Sequence, residues 1–228
     1  MSTKRRYCVV GTPHHVYQRG VDRKEIFFSK DLRRTYLRLM EKYAKEACVQ
    51  VHAYVLMGNH VHILLTAMKE NGISMFMQNL NSVFVSKVNK VAGREGVLFS
   101  TRFKSIPVET MDYLLQLYRY IELNPVRANL TQHPGRYIWS SYHANALGYA
   151  NSLITPHPDY LMLGDTVEKR LANYRKLVHS PMANELIEQI RWRTRLGYPI
   201  GSEKFLELLE EITGLPSNPR RRRSHCSA

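Results

Sequence analysis

Apolar residues recur at two different periods along the chain, and the changes of period predict its elements. His14 to Arg19 has the composition of a strand, and Gly20-Val21-Asp22-Arg23 follows as a turn. Ser29 stands as N-cap of a helix that carries Leu32, Tyr36, Leu39, Met40 and Tyr43 at helical spacing. Val49 to Met57 is a strand rich in β-branched and aromatic residues. Gly58-Asn59 predicts a two-residue hairpin of the favoured primed type, with His60 to Thr66 as the returning strand. Ser74 to Val91 forms a second helix with Phe76, Leu80, Phe84 and Val88 on one stripe. Phe103 to Val108 reads as another strand. Thr110 is the expected N-cap of a third helix that runs to about Leu123, where Asn124-Pro125 disfavours continuation.

The order is therefore β-α-β-β-α-β-α, and its first six elements match the split βαβ pattern. The predicted class is α+β: a ferredoxin-like antiparallel sheet with helices on one face, followed by a C-terminal helical extension. Beyond Pro156 three helical stretches follow, at Val167–Val178, Asn184–Arg193 and Ser202–Ile212. Residues 1–150 read as the core domain, 151–215 as the extension and 216–228 as a basic disordered tail.

Charge narrows the classes of partner. Lys and Arg number 33 against 19 Asp and Glu, a net +14 over 228 residues, which points to a polyanion such as nucleic acid. No apolar run approaches the ~20 residues of a membrane span, and the basic N-terminus leads into no signal-peptide core. The three cysteines are odd in number, widely spaced and without a CxxC pair, as expected of reduced thiols in a cytoplasmic protein.

The densest chemical signal is Asn59-His60-Val61-His62. On a strand, His60 and His62 point to the same face while Val61 and Ile63 point to the other. Two imidazoles so placed can share a divalent metal if a third ligand comes from elsewhere; they can equally be half-buried histidines on a polar sheet face. In the third helix, Tyr120 and Asn124 stand at i, i+4 and share a face. A phenol beside a metal can attack a phosphodiester, whereas in a chain of 14 tyrosines it can also be a packing residue.

These residues resemble a known family. His60-Val61-His62 matches the His-hydrophobic-His motif of the HUH single-tyrosine endonucleases and transposases, and Ala53 to His62 looks like the bacterial insertion-sequence branch. Gln18-Arg19-Gly20, Arg102-Phe103-Lys104-Ser105, Tyr120 to Ala128 and Trp139-Ser140-Ser141-Tyr142 are similar to the REP-associated tyrosine transposases. The resemblance covers residues 7 to about 150 and continues more weakly through Gly197–Ser202. Gly58 stands where many relatives have proline, and Leu98-Phe99-Ser100-Thr101 replaces a more usual Trp-containing string.

The resemblance implies Tyr120 as nucleophile and His60, His62 and Asn124 as ligands of one Mg²⁺ or Mn²⁺ ion. It implies cleavage and rejoining of single-stranded or hairpin DNA, such as a repetitive extragenic palindrome, through a 5′-phosphotyrosine. It calls for no nucleotide cofactor and no membrane, and for a monomer or homodimer at the nucleoid. The cations flanking the motifs (Arg19, Arg23, Arg102, Lys104, Arg119 and Arg127) are the expected DNA contacts, with Tyr17, Phe103 and Tyr118 available for base stacking. Arg220, Arg221, Arg222 and Arg223 would grip backbone as a flexible arm. Two rivals stand beside this reading. One is a hairpin-binding regulator that has lost catalysis. The other is a replication or conjugation initiator, for which the chain has neither a phosphate-binding Gly-rich loop nor room for a helicase.

Overall fold

The computed structural model describes residues 6–219. Four strands form one antiparallel sheet: β1 (Pro13–Arg19), β2 (Val49–Leu56), β3 (His60–Ala67) and β4 (Lys104–Pro107), in the order β2-β3-β1-β4. Between them run α1 (Lys30–Glu46) and α2 (Gly72–Ala92). They are followed by α3 (Asp112–Glu122), α4 (Asn124–Arg127), α5 (Tyr142–Leu147), α6 (Pro158–Leu161), α7 (Val167–His179), α8 (Asn184–Leu196) and α9 (Glu203–Thr213). This is the α+β, ferredoxin-like arrangement that the element order predicts.

The sheet separates two cores. Val16, Val61, Ile63 and Leu65 point to one face, where α1 and α2 lie across them. The α2 stripe Phe76, Leu80, Phe84 and Val88 is fully buried there. Leu64, Val55, Ile106 and Val108 point to the other face and pack against α3 and the later helices, including Tyr174 and Ile190. β2 keeps both faces apolar through a slip in register: against β3, Val51 pairs with Leu65 and Ala53 with Leu64, so His52 is an extra residue. Before the slip Val49 and Val51 face the α1–α2 side; after it, Tyr54 and Leu56 do. His52 is held by the Thr155 carbonyl at 2.7 Å and the Thr66 hydroxyl at 2.9 Å.

Neither edge of the sheet is bare. Outside β2, Leu56 N–H donates to the Trp139 carbonyl, while Tyr54 and Val51 carbonyls accept from Ser141 and Thr155. Outside β4, Ile200 N–H donates to the Pro107 carbonyl.

Two local expectations are corrected. The Gly58-Asn59 hairpin closes, with Met57 N–H on the His60 carbonyl at 2.9 Å, but neither turn residue has positive φ. It is thus not of the primed type. Amides of Gly20, Ile26 and Phe27 bind the two turn carbonyls and hold the tighter path. Thr110 does not cap α3: the helix starts after Met111, whose φ is +63°, and the Asp159 carboxylate on α6 accepts the Met111 N–H. The third helix stops where expected, at Glu122 with Leu123 as C-cap, and a short α4 follows. Pro125 lies in the first turn of α4, where its missing N–H is not needed, so the break is one residue, Leu123. The Ser29 cap is as expected, accepting Leu32 N–H at 3.2 Å.

Candidate active site

Strand pairing builds the floor of a cavity of about 490 Å³ on the face opposite α1 and α2. In β3, His60 and His62 alternate with the buried Val61 and Ile63. Directly opposite in β1, Arg19 pairs with His60 and Tyr17 with His62, and on the far side of β1, Lys104 of β4 pairs with Tyr17. Residues two apart on a strand share a face, so these side chains form one polar patch. The roof comes from α3–α4, through Tyr120 and Asn124, and from α8, through Arg191, Thr194 and Arg195. The four residues expected to carry the chemistry, His60, His62, Tyr120 and Asn124, therefore line one cavity. So do Arg19 and Lys104.

The histidines are oriented by their neighbours. His60 Nδ1 lies 2.6 Å from Asn59 Oδ1, and Asn59 in turn donates to the Arg23 carbonyl. His62 Nδ1 lies 2.8 Å from Nε2 of His15, a wholly buried residue of β1. With both Nδ1 atoms engaged, Nε2 is the nitrogen each ring has left for a ligand. The two rings stand at 84° with centroids 5.1 Å apart. Burial, together with the Arg19 charge, pushes His60 down to about 4, and burial with neighbouring His15 holds His62 well below the ordinary value. Both are neutral imidazoles near pH 7, the form that binds metal.

Asn124 donates its amide N–H to the Tyr120 carbonyl at 2.8 Å, which leaves Oδ1 as its free donor atom. Among the described residues no group of three or more His, Cys, Asp or Glu is arranged to hold a metal. The donor set here is two imidazole nitrogens and one amide oxygen. That set fits a hard or borderline divalent ion whose remaining positions are filled by water or phosphate oxygen. Among the described residues no carboxylate lines the cavity, while Arg19, Lys104, Arg191 and Arg195 do, so it favours a polyanion.

The Tyr120 ring meets His62 edge-on at 5.7 Å between centroids and is only 5% exposed. Burial raises its hydroxyl above the ordinary range, and Arg127 and Arg191 oppose the rise. Arg127 lies over the ring with its guanidinium carbon 4.4 Å from the centroid, and also donates to the Tyr120 carbonyl. Arg191, paired with Glu188 at 2.6 Å, brings its charge close to the hydroxyl. Burial thus favours the protonated phenol, and the two guanidiniums beside it act against that preference.

The remaining predicted DNA contacts divide. Arg23 and Arg102 are exposed. Arg127 is half-buried and lies against Tyr120. Arg119 is 2% exposed, and its guanidinium donates to Gln116 and to the carbonyls of Ser180 and Pro181. The expectation that it contacts DNA is corrected: it ties α3 to the loop after α7. Tyr118, expected to stack on bases, is fully buried against Tyr160 and Tyr174. Arg220 to Arg223 lie outside the described residues. Sequence reasoning missed His15, although period-2 alternation puts His15, Tyr17 and Arg19 on one face. It also missed Arg191 and Thr194, for which no local signal exists.

A sheet-borne His-x-His pair thus faces a helix-borne tyrosine across one cationic cavity. The chain belongs to the family of IS200-like transposases, whose model matches residues 8–124. Among solved structures, it shares its fold with a REP-associated tyrosine transposase bound to a REP hairpin. The two are 16% identical over 69% of this chain and 93% of that one, with a TM-score of 0.55. A candidate transposase from Deinococcus radiodurans R1 aligns over 60% of this chain and 98% of its own, at 15% identity and a TM-score of 0.36. No curated protein sequence matches the chain. No described helix is long and apolar enough to cross a membrane.

Proposed function

We propose that this IS200-like transposase is a metal-dependent endonuclease and strand transferase acting on single-stranded DNA next to a hairpin. The observation that carries the reading is the convergence of His60, His62, Asn124 and Tyr120 on one cationic cavity without carboxylates. A hairpin is the proposed substrate because the structural neighbour is bound to one. Residues 1–150 would supply the metal ligands and nucleophile, residues 151–215 the cover, and residues 216–228 a basic arm.

His60 and His62, through Nε2, and Asn124, through Oδ1, would hold one Mg²⁺ or Mn²⁺. The bound ion would neutralise the non-bridging oxygens of the scissile phosphate. Arg19 and Lys104 would take the neighbouring phosphates and set the strand across the sheet. The Tyr120 hydroxyl releases its proton to solvent water, a loss eased by the Arg191 charge beside it, and its oxygen attacks phosphorus. The O–P bond to Tyr120 forms as the P–O3′ bond breaks. The departing 3′ oxygen takes a proton, leaving a 5′-phosphotyrosine and a free 3′-hydroxyl. A second 3′-hydroxyl can run the step backwards and join strands, because the phosphoester bond is conserved.

The test is incubation of the protein with labelled hairpins carrying single-stranded flanks and Mn²⁺, followed by denaturing electrophoresis. A covalent protein–DNA band, absent with EDTA or with Tyr120→Phe, is expected. Hairpin binding without any adduct would refute the enzyme and leave a binding regulator.

A further inference from the structure

The wall of the cavity that lies furthest along the chain belongs to α8, outside the residues matched by the family model. One of its side chains reaches the metal-competent histidines indirectly. Thr194 is 4% exposed, and its Oγ1 lies 3.2 Å from His15 Nδ1. His15 is wholly buried, and its other nitrogen lies 2.8 Å from His62 Nδ1. The His15 and His62 rings are nearly coplanar, at 15° with centroids 5.0 Å apart, the edge-to-edge arrangement that an N–H···N bond needs. Three side chains from α8, β1 and β3 thus form a continuous chain of hydrogen bonds ending on His62.

We infer that Thr194, acting through His15, is a positioning residue that holds His62 in its ligand form. The inference rests on the metal-site reading above. In a contact between two ring nitrogens, one carries the proton. A metal on His62 Nε2 requires the His62 proton on Nδ1, so His15 Nε2 must accept. The His15 proton then sits on Nδ1, and Thr194 Oγ1 is the acceptor placed for it. Without that acceptor, the arrangement leaves a buried N–H unpaired, and the opposite one, with the His62 proton on Nε2, gains ground. That opposite form blocks the ligand position. The hydroxyl of Thr194 therefore bears on which nitrogen of His62 is free, across two hydrogen bonds. Partners of this kind commonly change metal affinity 10- to 100-fold when removed.

The experiment measures Mn²⁺ binding without DNA, by titrating the protein and following the free-ion electron paramagnetic resonance signal. Thr194→Val keeps shape and removes the hydroxyl; Thr194→Ser keeps the hydroxyl. The expected result is Mn²⁺ affinity at least ~10-fold weaker in T194V, within about twofold of wild type in T194S, and a similar melting temperature for all three. Should T194V not fold, Thr194→Ala is read in the same way. T194V or T194A binding Mn²⁺ as tightly as wild type would overturn the inference. A T194S variant as weak as T194V would overturn it too, since the hydroxyl would not be the cause. Wild-type protein that binds no Mn²⁺ would instead overturn the metal site itself, a failure distinct from these.

Discussion

Exchanging Glu122 for glutamine removes a charge and almost no volume at the most deeply buried carboxylate among the described residues. Glu122 lies two residues after Tyr120, about 200° around α3, so it faces away from the cavity while the tyrosine faces into it. It is fully buried, and its oxygens accept from Ser141 at 2.6 Å, Asn145 at 2.8 Å and Tyr174 at 2.7 Å. Burial outweighs these three donors and pushes the carboxyl from 4.5 up to about 7. Between those two values the folded protein keeps a proton that the unfolded chain has released. The stability contributed by the protonated group is therefore full below pH 4.5 and is lost as the pH rises to about 7. At about 1.4 kcal/mol per pH unit, the loss is about 3 kcal/mol. Glutamine has no proton to lose. Its amide nitrogen can face Tyr174, whose hydroxyl turns to accept, so the hydrogen bonds survive the exchange.

The measurement is urea unfolding of wild type and Glu122→Gln at several pH values between 4 and 8, followed by tryptophan fluorescence. The stability of E122Q relative to wild type should rise by about 3 kcal/mol from the acid to the alkaline end. A difference that stays constant over the range would refute the raised pKa. A difference moving the other way would mean that the three donors outweigh burial.

Other consequences are open to measurement. His14 and His52 are buried and lowered from 6.5 to about 4 by burial, so acidification through that window should cost up to about 3 kcal/mol for each. Replacing either by Gln should flatten the acid side of the stability profile relative to wild type; an unchanged profile would contradict this. Arg119→Met should lower stability by about 1–3 kcal/mol, through carbonyls left unpaired, and leave hairpin affinity unchanged in a filter-binding assay. A large loss of affinity in the folded variant would restore Arg119 as a DNA contact. Hairpin affinity should fall steeply with salt, and removing residues 220–228, which spares the buried Ser217, should flatten the slope; equal slopes would deny the arm any phosphate contacts. Tyr113→Phe and Tyr118→Phe should both keep the covalent adduct, and peptide mapping should find the nucleotide on Tyr120 alone.

The parts of this molecule that local rules govern were readable in advance. The α2 stripe, the Ser29 cap and the strands around Gly58-Asn59 depend on neighbours within a few residues. Alternation placed His60 and His62 together, and helical spacing placed Tyr120 one turn from Asn124. The misreadings arose where a distant group took over a local task. Asp159 holds the amide of Met111 just ahead of α3 where Thr110 was expected to cap, and the loop at 20–27 overrides the turn preference of Gly58-Asn59. Arg119 was taken for a surface cation because nothing nearby in sequence reveals the carbonyls of Ser180 and Pro181 that bury it. The contact of Thr194 with His15 spans 179 positions, and periodicity carries no information over that range.

The covered edges of the sheet bear on how the chain is made as well as on how it rests. All four strands have been synthesised once residue 107 is out, yet the segments that close the edge of β2 come from Trp139 to Thr155, and the one beside β4 is Ile200. For that interval a nascent chain can pair its strands while their outer amides and carbonyls remain open to any other extended chain. Such an edge is a template for aggregation until it is covered. A fragment cut before residue 139 would keep every strand and the paired histidines of β3, and would lose its protection from other copies of itself.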